Sequence, residues 1–173
     1  VSEKCRYEVT EKGIAVITIH NPPMNALDEE TMYSLEELVL KAESDPSARV
    51  VVITGEGPTF IVGADVNRVK EVTTAEKGKS LTSQAQAIIN RIEDCRKPVI
   101  AAINGLCLGG GMELAMACHL RFISEQAQMG LPEIMLGIMP GFGGTQRSAR
   151  LLGTARALEI MVTVKFVASG EAA

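Results

Sequence analysis

The sequence predicts an α/β protein with a largely parallel core, and three observations carry that reading. Short β-branched runs alternate with longer segments of helical periodicity, the pattern of strands joined by crossover helices. Two of the runs, Val50-Val51-Val52-Ile53 and Val99-Ile100-Ala101-Ala102-Ile103, are apolar throughout, as buried strands are. Turn-rich stretches of glycine and proline separate the segments.

Each element has its own signal. Residues 7–10 and 14–20 flank Glu11-Lys12-Gly13 as the two arms of a hairpin. Asn21-Pro22-Pro23 ends the second arm, because proline cannot donate to a ladder. Asp28 caps a helix whose first turn carries Glu29 and Glu30. Its apolar face is Met32, Leu35, Leu38, Val39 and Ala42, and Asp45-Pro46 stops it. A strand over 50–53 leads into a turn-rich loop over 54–63. Residues 74–94 read as a helix with Leu81, Ala85, Ile88, Ile89 and Ile92 as its stripe. Lys97-Pro98 breaks the chain before a strand over 99–103. A glycine cluster, a helix over 110–118, a strand over 120–123, a loop holding Pro132 and Pro140, and helices over 145–152 and 155–162 complete the series. The predicted order is β-β-α-β-α-β-α-β-α, in one domain over 1–173 with no fixed-period repeat.

Composition narrows the partners. A chain of 173 residues, 46% hydrophobic and 22% charged, can bury a core without disulfide staples. A net charge of -4, with four Phe, two Tyr and no Trp, argues against a nucleic-acid partner. No uncharged apolar run approaches the roughly 20 residues of a membrane span. Residues 1–12 lack the apolar stretch of a signal peptide. Cys5, Cys95, Cys107 and Cys118 show no zinc or redox spacing, and Cys107 and Cys118 read as small buried hydrophobes. The expected setting is a reducing one: cytoplasm, or mitochondrial matrix in a eukaryote, with no membrane partner.

The densest signal for chemistry is the run from Asn104 to Leu114, where a buried strand passes through Gly109-Gly110-Gly111 into a helix. Glycine admits positive φ and lets a ligand approach the main chain. The first N–H groups of such a helix lack internal partners and sit at its positive end, which suits a carbonyl oxygen gaining charge. The glycines match neither common nucleotide fingerprint, and their plain alternative is a tight, closely packed turn. Glu113 falls early in that helix among Met112, Leu114, Ala115 and Met116. Burial raises a carboxyl pKa and the helix N-terminus opposes the rise, a balance suited to proton transfer. Its plain alternative is a first-turn carboxylate held by the dipole. Glu133, after Leu131-Pro132, reads alone as an exposed loop glutamate. Paired with Glu113 across one pocket, it would share a water to be added across a polarised double bond; sequence spacing does not establish that they meet. Ala64, in Phe60-Ile61-Val62-Gly63-Ala64-Asp65-Val66, offers a second N–H for an oxyanion hole, with Asp65 as a cap for the following turn. His20 and His119 have no second ligand at a usual spacing. Met112, Met116 and Met161 read as core ahead of pocket lining.

Taken together, these segments resemble the enoyl-CoA hydratase/isomerase (crotonase) family. The motifs are Asn21-Pro22-Pro23-Met24-Asn25-Ala26-Leu27, Gly63-Ala64-Asp65, Lys97-Pro98-Val99 through Asn104-Gly105, Gly109-Gly110-Gly111-Met112-Glu113-Leu114, Pro132-Glu133 and Pro140-Gly141-Phe142-Gly143-Gly144-Thr145-Gln146. The resemblance runs from about Tyr7 to the last residue. It implies a crotonase-like superhelix of β-β-α units around an acyl-CoA pocket, assembled as a homotrimer or dimer of trimers. It assigns the oxyanion hole to Ala64 and Gly110, catalysis to Glu113 and Glu133, and orientation of the water to Gly141. Ala26, Asp65, Val66 and Asn67 fall where substrate contacts are expected. The coenzyme A thioester is substrate, and no metal or further cofactor is expected. Asn67 stands where many relatives carry a lysine near the CoA phosphates, and Val164 where a glycine often precedes a lysine. The family's C-terminal helices are missing from the sequence, so a truncated chain or a part of a multifunctional protein is expected. The implied activity is hydration of a trans-2-enoyl-CoA to a 3-hydroxyacyl-CoA. Its alternatives are enoyl-CoA isomerisation, which needs one acid, and a non-catalytic acyl-CoA-binding or assembly fragment.

Overall fold

The computed structural model describes residues 3–64 and 70–171. Five strands form one sheet: β1 (Cys5–Val9), β2 (Ile14–Ile19), β3 (Val50–Gly55), β5 (Val99–Ile103) and β7 (Leu120–Ile123), in the order β1-β2-β3-β5-β7. The hairpin pair β1–β2 is antiparallel, and every later pairing in this sheet is parallel. A second sheet holds β4 (Thr59–Val62), β6 (Leu106–Leu108), β8 (Gln128–Gly130) and β9 (Val167–Ala168) in that order. Among the described residues, the helices with full bounds are α1 (Glu29–Ser44), α2 (Ala75–Glu93), α3 (Gly110–Ala117), α4 (Gly144–Leu152) and α5 (Thr154–Thr163).

The chain steps from one sheet to the other at regular intervals. β3, β5 and β7 lie in the first sheet, and each is followed by a short strand, β4, β6 and β8, in the second. With α2 after β4 and α3 after β6, the repeating unit is β-β-α. The predicted alternation holds for the long elements. The loop expected over 54–63 contains β4, the glycine cluster contains β6, and the loop before Pro132 contains β8, all strands of three or four residues. Runs so short carry too little period-2 pattern to stand out from the turns around them.

Local chemistry explains the boundaries. Asp28 caps α1 by accepting the Thr31 N–H (2.8 Å) and hydroxyl (2.7 Å) on Oδ1. The five expected apolar positions of α1 are all buried. Asn104, at the step from β5 to β6, ties the step from β3 to β4. Its Nδ2 donates to the carbonyls of Gly55 and Gly57 (2.9 Å each), and its Oδ1 accepts the Gly55 N–H (3.2 Å). His119 accepts the Val99 N–H on Nδ1 (2.8 Å), and His20 pairs with Glu56; both histidines serve the framework. The four cysteines are buried and unbridged, and Met112 and Met116 are core residues. No helix among the described residues is long and apolar enough to cross a membrane.

Candidate active site

Helix α3 carries the first functional side chain. All eight of its residues are buried, so it is a central helix, and Glu113 is the one charged residue within it. Glu113 is 2% exposed. Gly109 caps α3 with φ +55°, a backbone conformation that favours glycine, and this turns the chain sharply from β6 into the helix. The Gly109 N–H goes to the Gly130 carbonyl (2.9 Å), and the helical bonds begin with Glu113 N–H to Gly109 (2.9 Å). The Gly110 N–H therefore has no acceptor within the helix.

The Glu113 carboxylate is held by main chain. Its Oε1 accepts the N–H of Phe142 (2.8 Å) and the N–H of Gly144 (2.7 Å). A Cβ on Gly144 would sit 2.8 Å from that oxygen, so only glycine lets the turn come this close. Burial pushes the Glu113 carboxyl up to about 7, and the negative charge of Glu133 adds to the rise; the two N–H donors and Arg147 oppose it. The clamp from Phe142 and Gly144 has no signal in the sequence beyond the motif Pro140-Gly141-Phe142-Gly143-Gly144.

Glu133 opens a 3-10 turn, Glu133–Leu136, after β8. The exposed loop glutamate expected from its flanks is not what the structure shows. Its residue is half-buried, and Oε2 is buried with no hydrogen-bond partner. Its Oε1 lies 3.1 Å from the point where a Cβ on Gly109 would stand, so it packs against the turn into α3. Burial raises its carboxyl above the usual range. A buried acceptor without a partner is costly, and such atoms occur where a ligand or water completes the site.

Both carboxyls line one pocket of about 700 Å³ with mainly apolar walls. Ala64 and Gly110 line it too, and among the described residues the Ala64 N–H donates to no acceptor. Ala64 is fixed by a parallel bridge to Leu27, whose N–H donates to the Gly63 carbonyl (3.0 Å). Gly141 also lines the pocket, and its carbonyl is taken by Gln86 Nε2 (2.7 Å). The wall near the proline motif comes from Leu27 and Asp28. Ala26 is not part of it, and its carbonyl accepts Asn21 Nδ2 (2.7 Å). Asp65, Val66 and Asn67 lie outside the described residues. Helix α2 supplies a long wall through Gly78, Leu81, Thr82, Ala85 and Ile88; Leu81, read as core stripe, serves the pocket. Among the described residues no cluster of three His, Cys, Asp or Glu could hold a metal ion.

A spiral of β-β-α units, with a pocket between its short sheet and α2 and two carboxyls lining that pocket, is a crotonase-like fold. The chain belongs to the enoyl-CoA hydratase/isomerase family, whose sequence profile matches residues 9–173. It is 46% identical over 162 residues to a probable enoyl-CoA hydratase of Bacillus subtilis (strain 168), covering 94% of this chain and 63% of that protein. It is 43% identical over 165 residues to the peroxisomal fatty acid beta-oxidation multifunctional protein AIM1 of Arabidopsis thaliana, covering 95% of this chain and 23% of that one. The crystal structure of enoyl-CoA hydratase from Thermoplasma volcanium GSS1 superposes with a TM-score of 0.92 at 32% identity, over 99% of this chain and 68% of that one. The chain thus spans less than two thirds of the length of the Bacillus subtilis and Arabidopsis thaliana relatives.

Proposed function

We propose that the protein is an enoyl-CoA hydratase, adding water reversibly to a trans-2-enoyl-CoA. The observation that carries this reading is the pairing of Glu113 and Glu133 in one pocket, with the charge of Glu133 felt by Glu113 and one Glu133 oxygen left without a partner. An isomerase needs one acid to move a proton; two carboxyls facing one space suit the binding of a water.

In the proposed step the thioester oxygen sits between the N–H groups of Ala64 and Gly110. Glu113 takes a proton from the water as the water oxygen bonds to Cβ. The π electrons move toward the thioester oxygen, where the two amides and the α3 dipole stabilise the growing charge. Glu133 delivers a proton to Cα, and the proton on Glu113 returns to Glu133 through the next water. The two groups titrate as a pair, and the competent form holds one proton between them. In the competent form that proton is on Glu133 and Glu113 is ionised, its Oε1 held by the Phe142 and Gly144 N–H groups. No metal is required in this scheme. The substrate is a coenzyme A thioester, as the names of the relatives suggest.

The test is an assay of the intact protein with crotonyl-CoA, following loss of the enoyl thioester absorbance. Hydration predicts loss of that absorbance with formation of 3-hydroxybutyryl-CoA. The sign of the pH dependence follows from the pair. Above about 7 the shared proton is lost, both carboxyls are ionised and the rate falls; once both are protonated at low pH, no base remains. Absence of turnover in the correctly folded protein at every pH would overturn the reading.

A further inference from the structure

The side chain that ties the Glu113 clamp to the scaffold belongs to Arg147, which is 5% exposed. Its guanidinium fans out to three acceptors. Nη1 donates to the Phe142 carbonyl (3.0 Å), Nη2 to Asn90 Oδ1 (2.6 Å) and Glu93 Oε2 (2.6 Å), and Nε to Glu93 Oε2 (2.9 Å). Phe142 is thus gripped on both sides, its carbonyl by Arg147 and its N–H by Glu113 Oε1. The Arg147 N–H also returns to the Gly143 carbonyl (2.9 Å). Gly143 has φ +103°, and a Cβ there would lie 2.2 Å from Arg147 Nη1, so the turn is moulded around the guanidinium.

We infer that Arg147 is a positioning residue: anchored to Asn90 and Glu93 of α2, it fixes the 142–144 turn so that the Phe142 and Gly144 N–H groups hold the Glu113 carboxylate in the pocket. The arrangement needs a planar fork. A lysine ammonium is a point charge that cannot span the Phe142 carbonyl, the Asn90 amide and the Glu93 carboxylate together. Arg147 touches no substrate position, because the Glu113 carboxylate and the turn stand between it and the pocket lining. Its positive charge works in the same direction as the clamp, favouring the ionised form of Glu113.

The kinetic part of this inference rests on the hydratase reading; the titration part does not. The experiment compares Arg147→Lys, Asn90→Ala and Glu93→Ala in the intact protein. Asn90 and Glu93 are on the exposed flank of α2, so their variants leave the core intact. Three quantities are read: kcat and KM with crotonyl-CoA, the pH profile of kcat, and the carboxyl titration of Glu113 by carbon NMR without ligand. For Arg147→Lys we expect kcat to fall about 10- to 100-fold, the range that a misplaced catalytic group costs. KM should change little, the alkaline limb of the profile should move to higher pH, and the Glu113 titration should move up with it. Asn90→Ala and Glu93→Ala should give smaller changes with the same signs, and they decide the question if Arg147→Lys does not fold. Folded variants in which the Glu113 titration stays at its parent position would overturn the inference. If the parent fails to hydrate crotonyl-CoA, the hydratase reading falls, and the titration arm still decides the role of Arg147.

Discussion

The two sheets are built from the same chain at the same steps, yet they divide the labour. The five-stranded sheet is made of strands of four to six residues, with alternate positions buried along β2, β3 and β5, and α1 packs on β1 and β2. The second sheet has strands of two to four residues, and the pocket residues Val62, Gly63 and Ala64, Leu108 through Gly110, and Pro132 with Glu133 follow directly from its β4, β6 and β8. The first sheet sets spacing; the second delivers groups to the pocket from strand ends. Scaffold and site are thus separable, and substitutions in each should produce different kinds of loss.

The largest effect is expected at the two carboxyls, carried by the helix after β6 and the turn after β8. Glu113→Gln and Glu133→Gln should each lower kcat for crotonyl-CoA by about 10²- to 10⁴-fold, the span of a lost acid or base, while the melting temperature stays near the parent value. The double variant should lose little more than the worse single one, because the pair acts as a unit. A single variant with parent turnover would show that one acid suffices. The counterpart in the scaffold is Ile53→Ala, in the centre of β3 at 0% exposure. Denaturant titration should show a loss of about 2–5 kcal/mol from the cavity left behind, with kcat per folded molecule unchanged. If turnover of the folded fraction fell as well, the two sheets would not be separable in this way.

Gly144→Ala tests the junction between them. Its Cβ would meet Glu113 Oε1 at 2.8 Å and Pro140 Cβ at 2.9 Å, so the turn must shift. A stability loss of about 1–3 kcal/mol is expected from the overpacking. Kinetics should show a fall in kcat with KM little changed, since the displaced group is the carboxylate. The smallest effect lies away from both sheets, at the end of α5. Val164 adopts φ +55°, a left-handed conformation that a β-branched residue rarely takes. Val164→Gly should raise stability by about 1 kcal/mol, read as a higher denaturant midpoint, and leave activity unchanged.

How much of this was legible from the amino acids alone follows the same division. β5 and β7 match their expected ranges, and α1, α2, α4 and α5 fall within a residue or two of theirs, because each carries enough periodic positions to outweigh its neighbours. β4, β6 and β8 were hidden in turn-rich sequence, since runs of three or four residues among glycines and prolines display little of a period. Glu113 stood out through its position after Gly109-Gly110-Gly111. Glu133 did not: its flanks read as exposed loop, and its burial comes from contact with the turn at Gly109, which is remote in the chain. The clamp was illegible for a different reason. Its donors are peptide groups of Phe142 and Gly144, and every residue has a peptide N–H, so nothing in residue type marks those two. Val164 was legible in part, as a departure from an expected glycine, and its φ angle supplies the physical meaning.

That the grip on Glu113 comes from peptide groups has a consequence for how such a centre tolerates drift. Side chains along residues 140–146 can be exchanged over time without erasing the donors, since an amide hydrogen survives replacement by anything except proline. What must persist is the path of the polypeptide there, and that path depends on bare α-carbons at 143 and 144 and on one guanidinium behind them. Reactivity is thereby entrusted to a few small residues whose own chemistry is nil.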